Sequence, residues 1–333
     1  MDRRGKAAQF AVCAGLLAGA FGTPVAAGRP FTTIAVPGAD QTFAVGINDS
    51  SEVVGYYAQG TNPVFGGPNI YGFTDIGGVF ATVQDPSAVA GGTAVMGISN
   101  NGALVGDYTD SLGNTYGFLE SGGVYTTLSD PQANPAYGTA PLGVNSQGEV
   151  VGYYLDASGG AHGFTWSDGA FTNFDAPGSI PGSTVGSGLT DSGAIFGDYY
   201  DTSGNPLGFA DNGGVFTTLN DPQHPDDSQF NGVNDAGAVA GFWEDDAGYN
   251  HAFVESGGVY TDLDLGVLGS QAWGVNDEGE VVGFYKTSPD GAFNGFLTSV
   301  PEPGTWALML VGMGLMGASL RRRSGSLLHS LRG

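Results

Sequence analysis

Short apolar runs alternate along most of the chain with turns built from Gly, Asn and Asp, and the alternation itself recurs with a long period. The stretch Gly232 to Gly241 reads Gly-Val-Asn-Asp-Ala-Gly-Ala-Val-Ala-Gly, and versions of it begin at Gly46, Gly97, Gly143, Gly188 and Gly274. Successive copies start 51, 46, 45, 44 and 42 residues apart, and a second glycine always follows nine residues later, at Gly55, Gly106, Gly152, Gly197, Gly241 and Gly283. A spacing that never slips places both glycines in one hairpin, while the variable lengths fall in loops elsewhere.

Each unit predicts four short strands. The first ends at the repeated glycine, as in Ala44 to Ile47, and a polar turn such as Asn234 to Gly237 reverses the chain into a second strand such as Glu149 to Tyr154. That second strand is apolar on both faces, which suits a strand held between neighbouring sheets. A glycine at its centre points to close approach by another backbone or an aromatic ring. An Asp-x-x-Gly turn, at Asp110, Asp156, Asp201 and Asp245, leads to a third strand carrying Phe73, Phe118, Phe164, Phe209, Phe253 or Phe296, read as core. A Gly-Gly or Asp-Gly turn then gives a fourth strand, such as Val124 to Leu128 or Val215 to Leu219.

The fourth strand is missing after the sixth unit, and its counterpart, Phe31 to Ile34, precedes the first. A strand moved from the end to the beginning is what a closed ring needs when its first and last units share a sheet. The prediction is an all-β six-bladed β-propeller of six repeats, about 45 residues each, closed by the N-terminal strand. The alternative, a β-solenoid, needs no displaced strand and has shorter coils.

The ends read differently. Arg3, Arg4 and Lys6, an apolar run from Ala7 to Phe21 and the small residues Val25 to Ala27 form a secretory signal peptide over 1–27, cut after Ala27 by signal peptidase. The propeller domain occupies 28–300, a sorting segment 301–323, and a short cytoplasmic tail 324–333. Cys13, the single cysteine, lies in the signal peptide, so the mature chain holds no disulfide and no thiolate chemistry. The apolar run Trp306 to Leu320 is a short transmembrane helix on this reading, and Arg321, Arg322 and Arg323 hold its end in the cytoplasm. Pro301-Glu302-Pro303, the apolar run and the three arginines together resemble the PEP-CTERM sorting signal of Gram-negative bacteria. The resemblance implies recognition by a membrane-embedded exosortase, cleavage near Pro301 to Pro303, and delivery to the cell surface or an exopolysaccharide matrix. The tail past Arg323 is longer than such signals usually carry. The repeats resemble extracellular HAF-type repeats through His251-Ala252-Phe253, His162-Gly163-Phe164 and the surrounding Gly-Val-Asn-Asp and Val-Val-Gly-x-Tyr elements. That resemblance implies an exported repeat protein and assigns no chemistry.

Charge narrows the partners. Of the 33 acidic residues only Asp2 and Glu302 fall outside Pro30 to Val300, and Lys286 is the only lysine or arginine inside, so this domain carries 1 minus 31, or −30. Such a surface repels nucleic acid and anionic lipid, leaving contact with the membrane to the C-terminal segment before processing, and it attracts cations.

Candidate chemistry lies in the less regular positions. Asp107 and Asp198 follow the central glycine, and Asp110, Asp156, Asp201 and Asp245 open the second turn. Hard oxygen ligands repeated around a ring suit calcium, which takes about six to eight oxygens, although aspartate is also the ordinary turn residue of β proteins. Tyr108, Tyr154, Tyr200 and Trp243, with neighbouring tyrosines, would present rings for stacking on sugars if their strand ends open on one face, and alternation makes at least half of them packing. His162 and His251 occupy a position where other units have Tyr71, Tyr116, Leu207 and Asn294, which favours a structural role. No Ser-His-Asp or Cys-His arrangement is evident. The near equivalence of the units argues against an enzyme. The expected function is binding or organising exopolysaccharide without catalysis; a polysaccharide hydrolase or lyase is the alternative, and a purely structural matrix protein the second.

Overall fold

The computed structural model describes residues 29–62, 67–225 and 227–300. Its strands form six four-stranded antiparallel sheets, and no helix occurs among the described residues. The protein is a six-bladed β-propeller. The third blade shows the pattern: β10 (Thr139–Val144), β11 (Val150–Leu155), β12 (Ala161–Ser167) and β13 (Ala170–Phe174) pair in chain order, the first innermost.

The sixth sheet breaks chain order. It runs β1 (Thr32–Ile34), β24 (Asn294–Ser299), β23 (Glu280–Lys286), β22 (Gly269–Val275), with Thr32 opposite Leu297 and Ile34 opposite Gly295. The N-terminal strand therefore supplies the outermost strand of the last blade, as the displaced repeat requires.

The conserved spacing of the two glycines has a steric cause. A Cβ on Gly106 would strike the carbonyl oxygen of Ala94 in the neighbouring strand and lie 3.0 Å from the Phe118 ring. Both approaches expected at the central glycine, backbone and aromatic, occur together. The six phenylalanines Phe73, Phe118, Phe164, Phe209, Phe253 and Phe296 are all buried to within 1% of completely. At about 1.5–3 kcal/mol per buried ring they anchor each sheet to the next.

On the inner strands the register shifts between Ala44 and Gly46, Val95 and Gly97, Pro141 and Gly143, Gly186 and Gly188, Phe230 and Val233, and Ala272 and Gly274. This bulge in every blade lets the residue before the repeated glycine line the axis. The glycines then meet almost backbone to backbone. A Cβ on Gly143 would lie 3.1 Å from the Cα of Gly188, and one on Gly274 would lie 3.1 Å from the Cα of Gly46, closing the circle.

In the first blade β3 (Glu52–Thr61) and β4 (Pro68–Ile76) pair well beyond the length of their counterparts in the other blades, with Ala58 opposite Ile70 and Thr61 opposite Pro68. A shift in register at Gly60, which adopts φ +64°, lets pairing continue, and Asn69 Nδ2 donates to Gln59 O at 2.9 Å. The signal peptide and the Trp306 to Leu320 run lie outside the described residues.

Candidate functional site

The axis is built in layers. Residues preceding the repeated glycine form a collar: Val45, Met96, Leu142, Ser187, Asn231 and Trp273. Beneath the glycines, aliphatic residues from Ile47 to Val275 narrow the axis, and beyond them comes a layer of asparagines. Asn276 Nδ2 donates to Asn48 O at 3.1 Å and Asn234 Nδ2 to Asn276 O at 3.0 Å, linking successive blades through buried hydrogen bonds.

The axis holds a chamber of about 100 Å³ whose lining takes in the collar, the repeated glycines and the aliphatic residues beneath them; its polar groups come from Tyr153, Ser187, Asp198 and Asn231, in the third, fourth and fifth blades. Tyr153 and Asp198 hold equivalent positions, one residue past the central glycine. Asp198 is 5% exposed, and its Oδ1 accepts the backbone N–H of Phe230 in the next blade at 2.8 Å. Burial raises its carboxyl well above the usual range, against the opposing pull of that hydrogen bond. Tyr153 is 3% exposed, and its hydroxyl makes no hydrogen bond among the described residues. Burial, with the Asp107 charge second, raises its pKa above the ordinary phenol range.

Asp107 occupies the position of Asp198 in the second blade, but the residue matching Phe230 in the third blade is Pro141, which has no N–H to give. Its carboxyl accordingly makes no hydrogen bond among the described residues, and desolvation pushes it up to about 7.

The other aspartates singled out in the sequence close their own turns. Asp110 Oδ1 accepts Leu112 N at 2.8 Å and Asn114 N at 2.9 Å; Asp201 Oδ1 accepts Ser203 N and Asn205 N at 2.8 and 2.9 Å. Asp156 Oδ1 takes the N–H groups of Ser158 and Gly160 and the Ser158 hydroxyl, which hold its pKa down at about 2. Asp245 Oδ1 takes Ala247 N and Tyr249 N, while its Oδ2 lies 3.0 Å from His251 Nε2. These oxygens are engaged with the protein and converge on no common point.

The aromatics divide by one residue in register. Those two residues past the central glycine bind the outer strand of their own blade: Tyr108 Oη lies 3.2 Å from Thr127 Oγ1, Tyr199 Oη 3.3 Å from Thr218 Oγ1, and Trp243 Nε1 donates to Asp262 at 3.1 Å. Tyr154 Oη donates to Gln132 Oε1 at 3.3 Å and its ring stacks on His162. Trp243 is stacked between His224, 3.7 Å away, and His251, 4.3 Å away, so both histidines pack on an aromatic face. Tyr200, third past the glycine, is pushed up to about 12 by burial and then by Asp198 and Glu244.

At the far end of the axis the first turns meet. Asp49, Asp235 and Asp277 bring carboxylate oxygens within 4.8 Å of one another. Backbone N–H groups bind part of this ring: Asp277 N donates to Asp49 Oδ1 at 2.9 Å and Asp191 N to Asp235 Oδ1 at 2.6 Å. Desolvation and the like charges of Asp191, Asp277 and Asp49 raise the Asp235 carboxyl.

The collar residues were not legible in the sequence as a site. Val45, Met96, Leu142, Ser187, Asn231 and Trp273 share no type, and only their common offset from the repeated glycine marks them.

Residues 299–323 match the PEP-CTERM protein-sorting motif. PEP-CTERM signals mark exported proteins, and the motif implies processing by exosortase during export. A search of curated proteins finds no match. Among solved structures, TolB from Acinetobacter baumannii superposes with a TM-score of 0.50 at 14% identity, covering 75% of this chain and 64% of that one. AofleA from Arthrobotrys oligospora gives 0.48 at 13% identity, covering 80% and 88%. The six-bladed fungal lectin from Aleuria aurantia gives 0.45 at 11% identity, covering 80% and 99%. At these identities the likeness concerns fold alone.

Proposed function

We propose that this PEP-CTERM protein is a binding propeller of the cell surface or extracellular matrix, whose ligand is an exopolysaccharide that presents a terminal or side group to the axial chamber. The observation that carries this reading is the mixed lining of the chamber: the hydrogen-bonding side chains of Tyr153, Ser187, Asp198 and Asn231 share it with apolar residues and with Trp273. Sugars are recognised by this combination, a ring face for stacking and fixed polar groups for hydroxyls. The chamber holds about 100 Å³, less than the roughly 300 Å³ or more of pockets that enclose a whole drug-sized ligand. A polymer is therefore engaged through a small protruding group.

The test is a glycan array probed with the processed domain, followed by titration of the best polymer. Saturable binding without product release, lost in a Leu142→Trp variant that fills the chamber, is the expected result. Undiminished binding by that variant would remove the chamber from the reading.

A polysaccharide hydrolase or lyase is the second reading, and one observation favours it: a carboxyl with a pKa of about 7, as at Asp107, is poised for general acid catalysis near neutral pH. Shortened polymer after incubation, abolished by Asp107→Asn, would establish it. If no glycan binds and none is cut, a purely structural role in the matrix is what is left.

A further inference from the structure

The chamber wall is one-sided in its hydrogen bonding as well as in its polarity. Asp198 has committed Oδ1 to Phe230 N and keeps Oδ2 without a hydrogen bond among the described residues. Asn231 has committed Nδ2 to Ala272 O at 2.9 Å and keeps its carbonyl oxygen. The Tyr153 and Ser187 hydroxyls add two more oxygens with no hydrogen bond among the described residues. Acceptors outnumber donors, and no cation balances them. Among the described residues the only lysine and arginine are Arg29 and Lys286, and neither lines the chamber. Lys286 instead sits 4.2 Å from the centroid of the Phe293 ring.

We infer that the chamber is a receptor for a primary ammonium group carried on a small carbon skeleton, an amino sugar being the form in which a polysaccharide would present it. An ammonium has three donors and no acceptor, which complements a wall of oxygens. Trp273, in the blade next to Asn231, also lines the chamber; its indole N–H donates to Gln271 Oε1 at 3.0 Å, and a cation gains from proximity to an aromatic ring. The volume agrees. About 100 Å³ is less than the roughly 150 Å³ that accepts a benzene, so it admits an ammonium with a few attached atoms. A bare divalent ion fits less well, since Asp198 is the only carboxylate lining the chamber and calcium needs about six oxygens or more. A domain charge of −30 concentrates cations around the whole molecule and disfavours anionic competitors.

Proton exchange accompanies the event. Before an amine binds, burial keeps the Asp198 carboxyl protonated over a wider pH range than an exposed aspartate, with Tyr153 and Tyr200 the titratable neighbours and Phe230 N the only hydrogen-bond donor to it among the described residues. An ammonium stabilises the ionised form, so binding releases a proton and tightens as pH rises, until the amine itself deprotonates, at about 10 for a simple alkylamine and lower for an amino sugar, whose neighbouring oxygens withdraw electron density.

The inference rests on the glycan reading for the source of the ammonium and is independent of it for the chemistry. Calorimetric titration of the processed domain with ethanolamine against ethylene glycol, and with glucosamine against glucose, tests it directly. Expected are saturable binding of both amines, no saturation by either neutral partner, and proton release detected by repeating the titration in buffers of different ionisation enthalpy. Asp198→Asn should weaken amine binding at least tenfold while Glu120→Gln, the same charge change on a strand residue that does not line the chamber, leaves it unchanged. If Asp198→Asn does not fold, Tyr153→Phe carries the test, with at least fivefold weaker binding expected. Equal binding of amines and neutral partners, or full binding by the chamber variants, overturns the inference. An amine-free polysaccharide that binds while the amines do not sinks this inference and leaves the glycan reading standing; the reverse result separates them the other way.

Discussion

Thr33 Oγ1 lies 2.9 Å from Tyr285 Oη, a hydrogen bond between side chains 252 residues apart in sequence. It is the ring-closing copy of a latch that other blades make within themselves, such as Tyr57 to Thr82 and Tyr108 to Thr127, each at 3.2 Å. Thr33→Val removes one hydrogen bond and should cost about 1 kcal/mol, a fall of roughly 2–4 °C in melting temperature for a domain of this size. Deleting Phe31 to Ile34 should cost far more, because it also strips the outer edge of β24; calorimetric melts of the two variants compare them. An unchanged melting temperature in the deletion would refute closure by the N-terminal strand.

The glycine circle predicts a sharp contrast between substitutions of the same chemical size. A Cβ on Gly97 would lie 2.5 Å from the carbonyl oxygen of Leu142, whereas one on Gly67 meets nothing within 4 Å. Gly97→Ala should destabilise by roughly 2–4 kcal/mol and Gly67→Ala by almost nothing. Denaturant midpoints of the two variants give the answer.

The buried carboxyls set the pH dependence of stability. Desolvation pushes the Asp107 carboxyl up to about 7 in the folded protein, against about 3.9 for a free aspartate, so between those limits the native state holds more protons than the unfolded one. Stability should therefore fall as pH rises from about 4 to about 7, by about 2–4 kcal/mol from Asp107 once its residual contact with water is allowed for, with Asp198 adding loss in the same direction. Melting curves across this range should show the fall, and Asp107→Asn should flatten it. A stability that climbs through the window in both proteins contradicts the burial of Asp107.

Pro141 offers a repair. Phe230 N donates to Asp198 at 2.8 Å, and Pro141 stands where the matching donor for Asp107 would be. Pro141→Ala restores an N–H and should lower the Asp107 pKa from about 7 toward the ordinary carboxyl range, an effect that carbon-detected NMR titration reads directly. A titration point unmoved by the substitution would mean that Asp107 does not aim at its neighbour as Asp198 does.

The architecture was legible because the ring repeats one steric solution six times. Gly106 must be glycine where Ala94 and Phe118 crowd it, and the same pressure recurs at each copy, so the spacing survives in the sequence. The site was far less legible. Tyr153 and Tyr154 are neighbours of identical type, yet one lines the chamber and the other bonds to Gln132 beneath the turn; only strand parity separates them. The inner-strand bulge reverses that parity locally, which is why Ser187 and Asn231, unremarkable as letters, line the axis. The turn aspartates were conspicuous because Asx turns demand aspartate, a demand that is local and independent of any ligand.

The closing blade also sets a clock on export. A chain crossing a membrane N-terminus first delivers Thr32 to Ile34 before anything else of the domain, yet their partners, Gly295 to Leu297, emerge last. Until β24 arrives the N-terminal strand has no partner, and the arc of blades keeps an open edge of unpaired backbone groups. The sorting motif begins at residue 299, the last residue of β24, so the segment that PEP-CTERM processing would act on follows the closing strand without a linker.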